Sequence, residues 1–433
     1  MSTSPIYYFE NGLRKVKPYY FTYKTHVKSR WIGKTVYEVF TTELGQEQDI
    51  TKKEITNQII YILSNQGMKG GPIAIKGWEN LVERKIQSHD LIFNSKHIHE
   101  PSVAQGLELV KKSSKCVSQD LTDLSIIFED DEIVVIDKPA GIPTHPKGNY
   151  RYNSITEVVK HDLNLENVWP CHRLDKVTSG ILILGTTKQG GKNYLNIINN
   201  ERDRISKQYV ARVMGEFPKD EFVMNCPIFL VNTSGGYIMP SNSRNVPKNS
   251  TTVFRRLNYN KELNQSIVLC KPITGRMHQI RIHLRNAGHP IVNDCEYNPQ
   301  GNARRLHIQR LRNQIELQMY ENIYLDFPSF KEHQPHNIAH DETEVDVVRL
   351  SRVETDEMQK KIHQLVKLRS EMVKDMKEQY NKTCDECNRP LFDSDINIDE
   401  GGIWLHAFCY EYSATESANS FCFETSLPSW CNI

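Results

Sequence analysis

Nothing in this chain approaches the run of 18 or more apolar residues that a membrane helix needs, so no membrane span is expected. The start, Met1-Ser2-Thr3-Ser4-Pro5-Ile6-Tyr7, lacks the basic-then-apolar pattern of a secretory signal and the arginines of a transit peptide. A cytoplasmic location is expected, with mitochondrial import left open. Charge of one sign is not in excess. Lys and Arg number 54 and Asp and Glu 53, a net charge of +1. That balance neither requires nor excludes nucleic acid, because one local basic face is enough to bind phosphates. Cysteine is sparse, ten in 433 residues and mostly isolated, as suits a reducing compartment. Five of the ten lie after residue 380, a bias that needs its own explanation.

The length exceeds one ordinary core, and the composition divides the chain into five segments. Residues 1–30 interleave aromatic and basic side chains, a pattern suited to stacking on single-stranded RNA, although tyrosine alternation is also ordinary in strands packed on a core. Residues 31–103 read as a small module of two helices, Gly33 to Phe40 and Ile55 to Leu63, followed by a short hairpin and a late strand near Leu91. Residues 121–330 are strand-rich, and 351–380 form a helix that opens on a Ser351/Glu354 capping box. Its apolar stripe lasts barely three heptads, so packing on the chain's own body is expected over a coiled-coil dimer, and a monomer over an oligomer. Residues 381–433 are a Cys-rich tail.

Within the strand-rich segment, two β-branched runs, 126–128 and 133–136, flank an acidic turn, a hairpin signal. Helices are expected near 154–162 and 190–200, and strands near 206–215, 250–258 and 266–273, with closing strands at 306–311 and 323–327. Residues 276–285 carry four basic or His residues on one face with apolar residues between. The fold class expected is α+β around a mixed, largely antiparallel sheet.

Three ionisable side chains crowd into His172-Arg173-Leu174-Asp175, and Thr178-Ser179-Gly180 then turns into the apolar run Ile181-Leu182-Ile183-Leu184. A carboxylate and a guanidinium on a tight loop at the lip of a sheet form a candidate site, with Asp175 as its nucleophile.

These residues carry a resemblance. His172-Arg173-Leu174-Asp175 with Thr178-Ser179-Gly180 resembles the catalytic motif of the RluA-type pseudouridine synthases. Asp137-Lys138-Pro139-Ala140-Gly141, Lys207-Gln208-Tyr209-Val210-Ala211, and Gly275 to Arg281 with Gly288-His289-Pro290-Ile291 resemble its other motifs, in the same order. Tyr7 to Arg14, His99-Glu100-Pro101, Leu405-His406-Ala407 and Phe423 to Trp430 resemble the eukaryotic branch that modifies the tRNA anticodon stem-loop. The resemblance implies that family's catalytic fold preceded by a degenerate S4-like module. It also implies a tRNA substrate modified at position 31 or 32, and no cofactor for catalysis. Asn293 departs from the family's usual glycine; Asn tolerates positive φ, so the turn can survive there.

By the same resemblance, Asp175 attacks C1′ or C6, or takes the 2′ proton, and Arg281 pairs with it to keep it ionised. Tyr209 stacks on the uracil and its hydroxyl helps remove the C5 proton. Arg173 fills the space left by the flipped base. His172 is expected to shape the loop rather than act as a base. His278 is expected to be a hydrogen-bonded spacer or phosphate contact, and Arg276 and Lys138 to meet the RNA backbone.

Cys384-x-x-Cys387 and His406-x-x-Cys409 have the spacing of a zinc knuckle, which admits a structural zinc; Cys422 or Cys431 can stand in for Cys409. Two other readings compete. One is an RNA-binding protein or tRNA chaperone that has lost catalysis, against which stand the intact Asp175, Tyr209 and Arg281. The other is a hydrolase using Asp175 and His172, which lacks a water-activating group.

Overall fold

Two runs in which every residue is apolar, Ile133 to Ile136 and Ile181 to Leu184, fix the centre of the molecule. A strand points alternate side chains to opposite faces, so a continuous apolar run needs cover on both. Ile133, Val135, Ile181 and Ile183 join one buried cluster, while Val134, Ile136, Leu182 and Leu184 join another under the helix Ile155–Asp162. The computed structural model describes residues 5–10, 13–64, 71–104, 125–226, 228, 249–298, 384–387, 402–414 and 420–433.

The two runs lie in a ten-stranded sheet. Its order is Phe222–Asn225, Thr251–Asn260, Gln265–Pro272, Ile205–Met214, Leu405–Tyr412, Ser179–Gly185, Ile133–Lys138, Ser125–Glu129. Trp169–Pro170 pairs beside Ser179–Gly185, and Phe421–Glu424 beside Leu405–Tyr412. All the pairs are antiparallel except a short parallel contact, Ser179 and Gly180 against His406 and Ala407. The α+β, largely antiparallel class is therefore observed. The hairpin flanking the acidic turn forms as expected, as do the helices Ile155–Asp162 and Lys188–Asn200.

The Cys-rich tail is not a separate appendage. Leu405–Tyr412 sits in the middle of this sheet, between Ser179–Gly185 and Ile205–Met214. Glycine makes the approach close enough. Gly180 has φ +112°, and a Cβ there would collide with the Ala407 backbone. His406 pins three strands, with Nδ1 2.8 Å from the Ser179 hydroxyl and Nε2 2.6 Å from that of Thr425. Asn293 takes a different part from the one expected. It is not among the described residues with positive φ; its amide accepts from Trp404 N–H at 2.7 Å and donates to the Gly402 carbonyl at 3.3 Å, which ties the tail down.

The N-terminal sheet runs Tyr19–His26, Leu91–Ile98, Ile60–Ser64, Ile73–Ile75. Tyr19–His26 thus belongs with the segment expected to start at residue 31. Thr35 and Glu38 form a capping box at the first helical turn. The second expected helix is displaced. Gln48–Thr56 is helical, Gln58 takes φ 58°, and Ile60–Ser64 is a strand that buries Ile60 and Ile62. The β-branched pair flanking Tyr61 suits a strand better than a helix continued through Gln58. Of the N-terminal aromatics, Tyr7 donates to the Tyr152 carbonyl at 2.8 Å, whereas Tyr8, Phe9, Tyr20 and Tyr23 are exposed. Glu100 joins this part to the loop that precedes the helix Ile155–Asp162. Its carboxylate accepts the N–H groups of Arg151, Tyr152 and Asn153 and the Tyr19 hydroxyl, all within 2.9 Å. The expected strands at 306–311 and 323–327 and the helix at 351–380 lie outside the described residues. Among those described, no helix is long and apolar enough to cross a membrane.

Two tests follow from this packing. Gly180→Ala meets both the left-handed backbone and the Ala407 contact, and should cost at least about 2 kcal/mol of stability, read as a lower melting temperature and soluble yield. Burial holds His172 down to about 3 and His283 and His406 down to about 4, all below the ordinary 6.5. The unfolded chain therefore binds the extra protons. Stability should be complete above pH 6.5 and fall as the pH drops toward 4. His406→Gln should flatten that slope by about 1.4 kcal/mol per pH unit in urea titrations between pH 7 and 4.5; an unchanged slope would mean that His406 is already protonated in the fold.

Candidate active site

The loop from Cys171 to Thr178 is held at both ends by backbone and side chain together. Cys171 N–H donates to the Ile183 carbonyl, and Ile183 N–H donates back to His172 Nε2, at 3.0 and 3.1 Å. Thr144 exchanges hydrogen bonds with the backbone of Leu174, and Thr178 N–H closes a turn on the Asp175 carbonyl. The loop cannot drift from the strand it precedes, so the Asp175 carboxylate stands at a fixed place on the wall of a cleft of about 590 Å³.

Across that cleft is the helix Gln279–Asn286. Its alternation of polar and apolar residues does not mark one basic face, because Arg281 and His283 are as buried as Ile282 and Leu284. Arg281 is the central charge. Its Nε and Nη2 donate to the two oxygens of Asp294 at 2.7 and 2.9 Å, and Nη2 also reaches Glu296 at 3.0 Å. Nη1 is left facing Asp175 at 3.6 Å, and His278 Nε2 approaches the same oxygen at 3.8 Å. These are ion-pair distances rather than hydrogen bonds. Burial works against the Arg281 charge, but Asp294 and then Glu296 and Asp175 raise its pKa and keep it protonated. His278 caps the helix in the left-handed region, φ 58°, and its Nδ1 lies 2.8 Å from the Tyr297 hydroxyl. It is also a neighbour of the Asp175 carboxylate, and strained backbone of this kind gathers at functional sites.

Tyr209 lines the same cleft, with 9% of its surface exposed. Burial pushes its hydroxyl up to about 12, so it keeps its proton at neutral pH. It lies 2.7 Å from the Tyr410 hydroxyl, which lies 3.5 Å from His172 Nδ1. The chain has a direction. Since a backbone N–H can only donate, His172 Nε2 accepts, and the neutral ring carries its proton on Nδ1. Tyr410 then accepts from His172 and donates to Tyr209, which leaves the Tyr209 proton free to point into the cleft. The arrangement makes Tyr209 a donor, which departs from the expectation that its hydroxyl takes the C5 proton, since a phenol that keeps its own proton is no base. His172 has both ring nitrogens engaged in this way, and its ring stacks on Tyr410 at 4.7 Å.

Arg173 is exposed at the cleft mouth and has no ion pair among the described residues. Arg276 also lines the cleft, its Nε donating to the Asn249 carbonyl at 3.2 Å. Both stand where a polyanion would arrive. Lys138 does not. It is fully buried, and its ammonium donates to the carbonyls of Pro139, Ile142 and Lys176 at 2.8, 3.0 and 3.3 Å. Three acceptors consume its three donors, so it is an internal clamp between two loops, not an RNA contact.

The expected zinc knuckle is also corrected. His406 spends both ring nitrogens inside the sheet, and Cys409 lies near Cys422 and Glu424. Cys384 and Cys387 are grouped instead with His97 and His99.

Asp294, Glu296 and Tyr410 were not singled out from the sequence. Asp294 follows the Gly288 to Ile291 motif by three residues, and nothing in that spacing marks it as the partner of Arg281. Tyr410 is concealed by a bulge. Gln208 pairs with Cys409 but Tyr209 with Ala407, so Phe408 is an extra residue that moves Tyr410 onto the face of Leu405 and Ala407.

A family model described as RNA pseudouridylate synthase matches residues 132–286. A Saccharomyces cerevisiae protein named tRNA pseudouridine(32) synthase, mitochondrial, is 31% identical over 430 residues, 97% of this chain and 77% of the relative. Another from the same yeast, named tRNA pseudouridine(31) synthase, is 30% identical over 449 aligned residues, 98% of this chain and 97% of the relative. RNA pseudouridine synthase 7 of Arabidopsis thaliana is 33% identical over 304 residues, 69% of each chain.

Replacing Lys138 by Met separates a clamp from an RNA contact. Stability should fall by about 1–3 kcal/mol, since three carbonyls lose their donor, while the salt dependence of RNA binding stays as in the wild type. A slope reduced by about one charge, with stability unchanged, would return Lys138 to the RNA interface.

Proposed function

This chain belongs to the RNA pseudouridylate synthase family, and we propose that its cleft isomerises a uridine of the tRNA anticodon stem-loop, at position 31 or 32, to pseudouridine. The observation that carries this is the Asp175 carboxylate, fixed in the cleft wall 3.6 Å from the Arg281 guanidinium and sharing the cleft with Tyr209. The names of the two yeast relatives support the choice of positions. The reaction breaks N1–C1′, turns the uracil and forms C5–C1′. C5 loses a proton and N1 gains one, so substrate and product are isomers and the step consumes no oxidant, reductant or cofactor.

A base in a stacked loop must leave the stack to reach the carboxylate, and Arg173 at the cleft mouth is the residue that takes its place. Asp175 then attacks C1′ or C6, or removes the 2′ proton. Arg281 keeps Asp175 ionised as the substrate excludes water, because burial alone would favour the protonated acid. Asp294 and Glu296 hold the guanidinium still, so Asp175 need not spend a hydrogen bond doing so. Tyr209 offers its ring to the uracil and its proton to an oxygen of the base. Arg276 adds a backbone contact at the rim. We propose that the chain acts as a monomer. We place the protein in the cytoplasm, with mitochondrial import as the alternative that one relative's name supports.

The test is incubation of purified protein with tRNA transcripts carrying uridine at 31, at 32 or at both, followed by mapping of pseudouridine. Asp175→Ala should make no product while binding RNA nearly as well as the wild type. Tyr209→Phe should keep the ring and slow turnover by on the order of 10². Product formed at wild-type rate by Asp175→Ala would remove the nucleophile assignment. Binding without product by the wild type, over a range of tRNAs, would favour the non-catalytic reading.

A further inference from the structure

The strand Leu91–Ile98 ends in His97-Ile98-His99, just before Glu100 docks on the loop that precedes the helix Ile155–Asp162. Facing it is the short segment 384–387, which brings two cysteines from far along the chain. Cys384 Sγ lies 3.6 Å from His97 Nδ1, and Cys387 Sγ lies 3.4 Å from His99 Nε2. All four ligand atoms fall within 4.8 Å of one another.

These separations are what a tetrahedral zinc centre requires. With Zn–S near 2.3 Å and Zn–N near 2.05 Å, a sulfur and a nitrogen on adjacent corners stand about 3.6 Å apart. The two imidazoles are crossed at 80° with centroids 4.7 Å apart, so neither blocks the other's ligand nitrogen. His97 and Cys384 are buried, while His99 and Cys387 are half-buried, and the Tyr20 ring stacks on His97 at 4.7 Å. The remaining nitrogen of His97, Nε2, faces the Glu386 carboxylate at 3.8 Å. A carboxylate behind a ligating imidazole fixes its ring and tautomer, a recurrent arrangement at zinc sites.

We propose that His97, His99, Cys384 and Cys387 form a structural zinc site that joins the 384–387 segment to the seam between the N-terminal sheet and the loop that precedes the helix Ile155–Asp162. Four protein ligands leave no open position, so the ion holds structure and does no chemistry. Two thiols lose their protons on binding, which makes the affinity fall as the pH drops. The site lies apart from the Asp175 cleft, and its ligands line no part of it.

The test uses the full chain purified from zinc-supplemented cells. Elemental analysis should find about one zinc per chain. Cys384→Ser and Cys387→Ser should each reduce it well below that, while Cys409→Ser and Cys422→Ser should leave it unchanged. Cobalt(II) exchanged into the protein should give the visible absorption of a tetrahedral ion and a near-ultraviolet thiolate band. Because the serine variants could simply misfold, His99→Cys is the second arm. It keeps four ligands, and should retain the metal and strengthen the thiolate band. Absence of zinc and of any cobalt band in the wild type would leave only thiol–imidazole hydrogen bonds and overturn the proposal. So would zinc retained by Cys384→Ser, zinc lost on Cys409→Ser, or His99→Cys folding without metal.

Discussion

The candidate site rests on one buried guanidinium. Arg281 is 4% exposed and faces three carboxylates, each of which does something different with it. Asp294 takes the bidentate fork, which sets the plane of the group. Glu296 braces the same nitrogen. Asp175 receives only the charge, at a distance that leaves its oxygens available. Removing a guanidinium from water is costly, and the cost is offset only where its donors are satisfied. Asp294 satisfies them, which frees the third edge of the group to act on the loop opposite. Without Asp294, the guanidinium would keep only Glu296 as a close partner and would be drawn toward Asp175. Breaking such a buried pair from one side typically costs about 3–5 kcal/mol, so the geometry of the cleft is bound to the stability of the fold.

The other half of the cleft depends on the C-terminal strand. Tyr410 fixes the hydroxyl of Tyr209, and it can do so only because a bulge at Phe408 turns it inward. The same strand brings His406 against Ser179, at the foot of the loop that bears Asp175. The loop bearing Asp175, Tyr209 and the tail therefore share a single set of strand contacts. Arg212 extends the set, lying 4.3 Å over the Trp404 ring and reaching the Trp430 carbonyl.

Much of this was legible in the sequence for definite reasons. Doubly buried strands announce themselves as unbroken apolar runs, and a loop with three ionisable residues in four announces a site. Where side-chain chemistry depends on a partner far along the chain, the sequence was blind. Lys138, in the Asp137 to Gly141 motif, is expected at the RNA backbone, and only the three carbonyls folded around it show otherwise. The spacing of Cys384, Cys387, His406 and Cys409 suits a knuckle, but spacing does not tell that the second pair lies in a strand whose hydrogen bonds are already spent. Ile55 to Leu63 keeps helical periodicity through Gln58, where the backbone turns left-handed and the chain changes element. Tyr410 follows a bulge, and a bulge leaves no periodic trace.

The position of Leu405–Tyr412 also governs how the protein can come into being. When the helix bearing Arg281 has just been synthesised, residues 287–404 are still to be made, which takes on the order of 10 s at ordinary elongation rates. For that interval the edges of Ser179–Gly185 and Ile205–Met214 have no neighbour, and two apolar strands face water or each other. A nascent chain at this stage has Asp175 but not the strand that carries Tyr410 and His406. The cleft is therefore completed late in synthesis, and a polypeptide stopped before Leu405 would lack a middle strand of its sheet.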